Sequence, residues 1–342
     1  MNVLVIRRDN IGDLICTLPM LATLKQHRPE VTLHVLVNSY NVPVLQGLDY
    51  IDHIHVYTKG KHRDEGQSLL AVYIQKLMTF LRLRKAGLSV AIAASGGFNR
   101  RAVSFARLAG ARRIISFCEP GQSRSVTDPV ALPASREHEA FRMMRLLVPL
   151  GLDLLPPPAP RLVVAPEETR AILGHMPQRT PERTLTGCHI SARRPANRWT
   201  RDHWIRLIHQ LYQSGHQVAL FWAPGKQDDP RHPGDDDLAR EIVQNCPPGS
   251  VIPVPTRHLR ELIAGLALCD RLILSDGGHM HIGAALGRPM VCFFGDTDSQ
   301  RWYPHGSPYE LLQPESQRVK DIAPEDVMAA LDRLTARTAS CT

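Results

Sequence analysis

The sequence predicts an α/β protein built from two parallel-sheet domains, and three observations carry that prediction. Short apolar runs alternate with helical segments along the whole chain. The alternation breaks at a proline-rich stretch, PLGLDLLPPPAPRL at 149–162. The length of 342 residues exceeds what one hydrophobic core usually serves. Strands alternating with helices make a parallel sheet with crossover connections. The domains are expected at 1–165 and 166–322, with a closing helix over 323–342 that returns to the first domain. The proline cluster ends regular structure and places the linker between about 156 and 183. Ligands of open parallel sheets sit beyond the carboxyl ends of the strands, so a cleft between two such domains is the expected site.

Each element has a local reason. VLVIR at 3–7 reads as a buried strand. A loop and a helix follow, with Leu14, Leu18, Leu21 and Leu24 on one face. Pro19 either interrupts this helix or lies in the first turn of one that begins near Thr17. VTLHVLV and IDHIHVY are the next strands; a long helix follows near 67–86, and SVAIAAS is another strand. RAVSFARLAGARRIISF repeats helix, glycine turn and strand. In the second half, LTGCHISA is a strand, and a helix runs from its Thr200 cap to Gly215. HQVALFWAPG is a strand, KQDDPRHPGDDD a polar loop, LRELIAGLALCD a helix and RLILSD a strand. A helix opened by SDGGHMH and the strand PMVCFFG come next; the closing helix has Pro324 near its first position.

Composition narrows the function classes. No apolar run reaches the roughly 18 residues of a membrane span. The opening MNVLVIRRDN meets Arg-Arg and an acid instead of a small-residue cleavage site, so a first strand and a cytoplasmic protein are expected. Seven cysteines, odd in number and without a CxxC pair, fit reduced core residues. Among sixteen histidines there is no HExxH, and His279 with His281 is a turn pair; no metal is expected. Residues 1–170 hold 22 Lys and Arg against 14 Asp and Glu, whereas the rest is balanced at 19 against 19. The excess of cations in the first half suits an anionic partner. Aromatic content of 6% and the lack of a nucleic-acid motif argue against base stacking.

Three strand ends hold groups that could do chemistry. RRDNIGD follows the first strand, and Asp13 there is either a helix cap or a general base, with Asp9 as a second carboxylate. In HISARRPANRWTRDHW, Ser191 offers a hydroxyl and Arg193, Arg194 and Arg198 offer charge for a diphosphate. Trp199 and Trp204 read as core anchors. In SDGGHMH, Gly277 and Gly278 permit close backbone approach to an anion at a helix start. Asp276 is expected to hold that loop, and His281 to donate to phosphate or to pack. In FFGDTD, Thr297 is a further donor and Asp298 a cap. A diphosphate cradle in one domain and a carboxylate in the other suit the splitting of a nucleotide-sugar.

These stretches carry a family likeness. IGDLICTLPMLATLKQHRPEVTLHVLV resembles the opening of the ADP-heptose lipopolysaccharide heptosyltransferases, glycosyltransferase family 9. LILSDGGHMHIGAALGRPMVCFFGDTDSQRWYPHG resembles their second signature, and ANRWTRDHWIRLI their Lys-x-Trp-Pro segment. The resemblance spans nearly the whole chain, with three motifs in order. It implies a GT-B fold and an inverting, metal-independent transfer of heptose from ADP-heptose to a lipopolysaccharide inner-core acceptor. It places Asp13 on the catalytic carboxylate, Ser191 on a phosphate-contacting hydroxyl, and Asp276, Gly277, Gly278 and His281 on the pyrophosphate loop. The acceptor implied is an anionic glycolipid, met by peripheral contact with the inner membrane. Arg100, Arg101, Arg112 and Arg113 are the expected acceptor-side cations.

The chain departs from the family pattern in places. Asn197 stands where the family has a lysine, so its charge falls to Arg198 or Arg193. Gly277 replaces a serine or threonine. A ribose-binding carboxylate is sought among Asp228, Asp229 and Asp235 through Asp237. Another nucleotide-sugar or a non-lipopolysaccharide acceptor is the alternative reading. A nucleotide-sugar binder without turnover and a nucleic-acid binder are the competing classes.

Overall fold

The computed structural model describes residues 1–58, 69–226 and 234–339, with side chains from residue 73 onward in the second of these stretches. Two compact units divide the chain, Met1–Leu162 and the residues from Val163 onward. In the first, strands β1 (Asn2–Ile6), β2 (Thr32–Asn38), β3 (His53–Tyr57), β4 (Val90–Ala93), β5 (Arg113–Phe117) and β6 (Asp128–Val130) form one sheet. Its order is β3-β2-β1-β4-β5-β6, and all five pairings are parallel. Its helices are α1 (Ile11–Ile15), α2 (Leu18–His27), α3 (Val42–Leu45), α4 (Leu69–Lys85), α5 (Arg100–Leu108) and α6 (Glu139–Met144). Of the two readings for Pro19, the structure takes the second. A short α1 ends at Ile15, and Pro19 lies in the first turn of α2, where its missing N–H costs nothing.

The second unit repeats the plan. Its helices are α7 (Pro166–Gly174), α8 (Arg201–Gln213), α9 (Asp236–Gln244), α10 (Leu259–Leu268), α11 (Gly278–Ala285), α12 (Ser299–Trp302) and α13 (Pro324–Ala339). Its strands are β7 (Thr184–His189), β8 (His216–Trp222), β9 (Val251–Pro255), β10 (Arg271–Ser275), β11 (Met290–Phe293) and β12 (Tyr309–Leu312). The order is β12-β11-β10-β7-β8-β9, again parallel throughout. Counted from the first strand of its own unit, each sheet has the order 3-2-1-4-5-6 of a dinucleotide-type fold. In such a sheet the crevice lies where the order reverses, past the carboxyl ends of β1 and β4 in one unit and of β7 and β10 in the other.

Both sheet faces are covered, and the strands accordingly read as continuous apolar runs. Leu4, Ile6 and Leu36 meet Phe80, Leu83 and Phe105 of α4 and α5. Trp199 and Trp204 are 4% and 1% exposed and cross edge-to-face at 4.8 Å in the second core. Thr200 accepts from the His203 N–H at 3.2 Å and caps α8. The buried face of α13, Val327, Ala330, Leu331 and Leu334, packs into the core of the second unit. The acidic loop is shorter than expected, because Asp236 and Asp237 form the first turn of α9, where carboxylates are favoured.

Candidate functional site

The two crevices hold different chemistry. In the first unit, β1 delivers Arg7 and then Asp13 to its carboxyl edge. Asn10 is the cap of α1, and the Asp13 Oδ2 accepts from the Asn10 N–H at 3.0 Å. The Asp13 Oδ1 accepts from Arg7 Nη2 at 2.8 Å, and that same nitrogen donates to Glu139 Oε1 at 2.9 Å. Asp9 Oδ2 lies 3.5 Å from Arg7 Nε. Arg7 Nη1 donates to the Ala94 carbonyl at 3.2 Å and so crosses the β1–β4 switch. One buried cation thus serves three carboxylates. Burial opposes the Arg7 charge, but Asp13, Glu139 and Asp9 outweigh it and raise its pKa. The Arg7 and Glu139 side chains are wholly buried, whereas that of Asp13 is 18% exposed. Asp13 is therefore the member of the pair of fixed carboxylates that meets solvent. The loop is pinned from below as well. Asn38 and Asn41 donate to the Asp9 carbonyl at 3.2 and 3.1 Å.

The four acceptor-side arginines do not lie together. Arg100 and Arg101 open α5 at the carboxyl edge of β4, beyond the Gly96-Gly97 turn. Arg112 and Arg113 enter β5 at the opposite edge, and Arg113 is level with Val90, the first residue of β4. Arg113 is also engaged, donating to Asp128 Oδ1 at 2.5 Å and to the Pro149 carbonyl at 3.0 Å. Parallel strand direction separates the pairs, and Arg112 and Arg113 leave the site.

In the second unit the loops after β7, β10 and β11 are tied by Asn197, which is 2% exposed. Its Nδ2 donates to the Asp276 carbonyl at 3.1 Å and to Asp276 Oδ2 at 3.2 Å. Its Oδ1 accepts from the Gly295 N–H at 3.1 Å. A β-carbon on Gly295 would stand 2.6 Å from both the Ala196 carbonyl and that Oδ1, so only glycine fits. Asp276 holds its loop, as a carboxylate bonded within the scaffold. Ser191 Oγ accepts from the Ala223 N–H at 3.0 Å and joins the β7 and β8 loops. Arg198 Nε donates to the Ala192 carbonyl at 2.9 Å, and its Nη1 lies 3.6 Å from Asp235. Arg194 reaches Asp296 at 3.0 Å and Thr297 Oγ1 at 3.4 Å. Arg193 is exposed and has no partner among the described residues. Asp298 caps α12 by accepting from the Gln300 N–H at 3.1 Å.

Gly277 caps α11, and Gly278 begins it, leaving the free N–H groups of a helix start at the switch point. A β-carbon on Gly277 would meet the His279 ring at 2.8 Å. The His279 ring fills the space that a serine or threonine side chain would take. It stacks on His189 with centroids 4.2 Å apart and planes 11° from parallel. His281 is 4% exposed and lies edge-on to Trp302 at 5.9 Å. Of the acids considered for a ribose, Asp228 and Asp229 lie outside the described residues. Asp236 accepts from Trp222 Nε1 at 2.7 Å and from the Gly225 N–H at 3.0 Å, so it clamps the loop ends. Asp237 pairs with Arg240 at 2.7 Å, and Asp235 faces Arg198.

The histidine stack has a pH consequence. Burial lowers the His189 pKa from 6.5 to about 4. Burial and the adjacent His189 lower that of His279 well below its usual value. Both rings are neutral at pH 7 in the folded state. As pH falls below about 6.5 the unfolded chain takes up these protons first, so the associated stability is full above that pH and is lost toward pH 4. Wild-type Tm is expected to fall between pH 7 and pH 5 more steeply than that of His279→Leu, measured by calorimetry. Parallel curves would remove the stack as the cause.

The model of "Glycosyltransferase family 9 (heptosyltransferase)" matches residues 83–330. The chain belongs to this family. The family 9 chain is 25% identical over 352 aligned positions to a lipopolysaccharide heptosyltransferase 3 of Escherichia coli, covering 94% of this chain and 96% of that one. It is 27% identical to lipooligosaccharide heptosyltransferase 2 of Haemophilus influenzae, over 54% of this chain and 58% of the relative. The matched stretch thus spans under two thirds of that relative's length, and 32% of the Salmonella typhimurium lipopolysaccharide heptosyltransferase 2. Among solved structures, a family 9 glycosyltransferase of Veillonella parvula superposes with a TM-score of 0.84 at 18% identity, covering 98% of this chain and 97% of that one. The E. coli ADP-heptose heptosyltransferase II superposes with a TM-score of 0.77 at 20% identity, covering 99% and 100%. The fold is therefore GT-B, two Rossmann-like units of parallel sheet.

For this family 9 chain, reading the sequence alone overlooked Arg7, Glu139, Asn197 as a tie, and His279. Arg7 ends an apolar strand, and Glu139 lies 132 positions away, so no local pattern joins them. The one visible signal was the glycine at 277, whose missing side chain is supplied in space by His279.

Proposed function

We propose that the chain transfers heptose from ADP-heptose to an anionic inner-core lipopolysaccharide acceptor, with inversion and without a metal ion. Family membership supports the reaction class, and the held but solvent-reaching Asp13 carboxylate is the observation that carries the mechanism. Asp13 takes the proton of the acceptor hydroxyl as that oxygen attacks the anomeric carbon. The bond from the anomeric carbon to the diphosphate breaks, and ADP leaves with the electron pair. Single displacement of this kind inverts the configuration. Arg7 and the Asn10 N–H fix both carboxylate oxygens, so the base needs no reorganisation as it accepts the proton.

The second unit takes the diphosphate at the α11 start, with the N–H groups at Gly277 and Gly278 and the cation of Arg193. Ser191, Arg198, Asp276, His281 and Thr297 complete the donor side, Asp276 by holding the loop. Arg100 and Arg101 are the acceptor-side cations, at the same sheet edge as Asp13. Among the described residues no group of three His, Cys, Asp or Glu is arranged to hold a metal ion, and no helix is long and apolar enough to cross a membrane. The supporting measurement is a donor and acceptor screen with product mass and anomeric configuration determined. A product formed from another nucleotide-sugar, with ADP-heptose inert, would replace the donor; retained configuration would reject direct displacement.

Two arginine variants test the cradle. Arg193→Ala is expected to weaken ADP binding by roughly 1.5–3 kcal/mol, the worth of a charge-assisted phosphate contact, with Tm unchanged. Arg198→Ala is expected to lower both ADP affinity and Tm, because Arg198 also holds the loop after β7. Calorimetric titration with ADP, with and without chelator, reads both. Wild-type affinity in Arg193→Ala would assign the phosphate charge to Arg194 or Arg198.

A further inference from the structure

The cradle of the second unit contains a titratable group that the transfer chemistry does not use. His279 is the second residue of α11. Its ring lies against the cap of that helix, with Cε1, Nδ1 and Nε2 at 2.8, 3.3 and 3.5 Å from where a Gly277 β-carbon would stand. Gly277 has extended backbone, φ 163° and ψ −178°, which any residue adopts. Glycine is therefore required at 277 by the imidazole and not by the chain. The ring excludes a side chain with a fixed, neutral hydroxyl and puts an ionisable group in its place.

The surroundings keep that ring neutral in the free protein. Nε2 is buried and has no hydrogen-bond partner among the described residues. The ring bonds the Ser275 carbonyl, which only accepts, so Nδ1 carries the proton and Nε2 is a bare lone pair. The ionisable neighbours are His189, stacked on the ring from the end of β7, and His281, farther along α11. Both disfavour a charge on His279, and only the Ser275 carbonyl favours one. Asp276, the acid nearest in the chain, is taken by Asn197. The ring also stands at the positive end of the α11 dipole, which opposes a further cation. His189 is held in turn, its Nδ1 donating to the Ser191 carbonyl at 3.2 Å.

An anion at the α11 start reverses this balance. It offsets the positive end of the helix, and in a site screened from water its charge favours an imidazolium beside the helix cap. The lone pair of Nε2 is the seat for the incoming proton. Two rings in stacking contact do not both carry charge, so uptake stops at one proton. We propose that His279 takes up a proton from solvent when a diphosphate settles at the α11 start, so that donor binding and protonation of the cradle are one linked event. This rests on the proposed reading of the second unit as the donor side. Uptake on binding makes affinity rise as pH falls, through the window between the low pKa of the free ring and the raised pKa of the ring beside the anion.

The test is calorimetric titration of the full chain with ADP-glucose, whose diphosphate is a diester and does not itself titrate near neutral pH. Heats measured in buffers of different ionisation enthalpy count the protons exchanged. The wild type is expected to take up roughly half to one proton at pH 6, with affinity rising roughly three- to tenfold from pH 7.5 to pH 6. His279→Leu is expected to take up none and to bind with a flat pH profile. His279→Gln, polar but not titrating, is expected to do the same, so a folding defect of the leucine variant does not decide the outcome. His189→Phe keeps a ring in the stack and is expected to retain the uptake. Binding of ADP-glucose by the wild type without proton exchange, or uptake that survives both His279 variants, would overturn the inference and leave the donor reading standing. No binding at any pH would overturn both.

Discussion

Asp13→Asn is expected to lower turnover roughly 10²–10⁴-fold, the usual worth of a positioned general base. ADP affinity should stay near wild type, because the diphosphate groups belong to the second unit. The variant is not silent in stability. Asparagine has one amide oxygen for two donors: if it accepts from the Asn10 N–H its NH2 faces Arg7, and if it accepts from Arg7 its NH2 faces the Asn10 N–H. Arg7 keeps Glu139 and Asp9, so the expected loss is about 1–3 kcal/mol and not the full cost of an unpaired buried charge. Turnover must therefore be normalised to folded protein, with Tm and ADP titration on the same sample. Near-normal turnover would remove Asp13 from the mechanism and pass the role to Asp9, the other carboxylate on Arg7 that meets solvent.

Arg7→Met is expected to produce the largest loss of stability, roughly 3–5 kcal/mol. The reason is the fully buried Glu139 carboxylate, which would be left in the core without its cation. Tm of the first unit should fall by on the order of 10 °C. Adding Glu139→Gln to Arg7→Met should restore much of the loss, since a neutral pair removes the uncompensated charge. Turnover should remain low in the double variant, because Asp13 still lacks the guanidinium that orients it. Recovery of both stability and turnover would confine Arg7 to a structural role. Wild-type stability in Arg7→Met alone would show that the cluster is not coupled to folding.

The sequence by itself determined the fold class, because strand and helix identity is written at short range. VLVI at 3–6 and LIL at 272–274 are apolar without interruption, as strands covered on both faces must be. Thr200 and Pro324 mark helix starts through backbone donors that any helix leaves unpaired. The same short-range patterns put Asp13, Ser191 and the Gly277–Gly278 turn at strand ends, and the family likeness followed from them. Only the tertiary structure decided which of these groups meet. Strand order set Arg100 and Arg101 at one sheet edge and Arg112 and Arg113 at the other, though all four flank strands in the sequence. It joined Arg7 to Glu139, stacked His279 on His189, and turned Asn197 into a tie among three loops. It also sent α13 to the second core. Periodicity reports which face of an element is apolar. What covers that face, and which distant charge a buried group finds, depends on contacts between residues far apart in the chain, and those exist only once the sheets have formed.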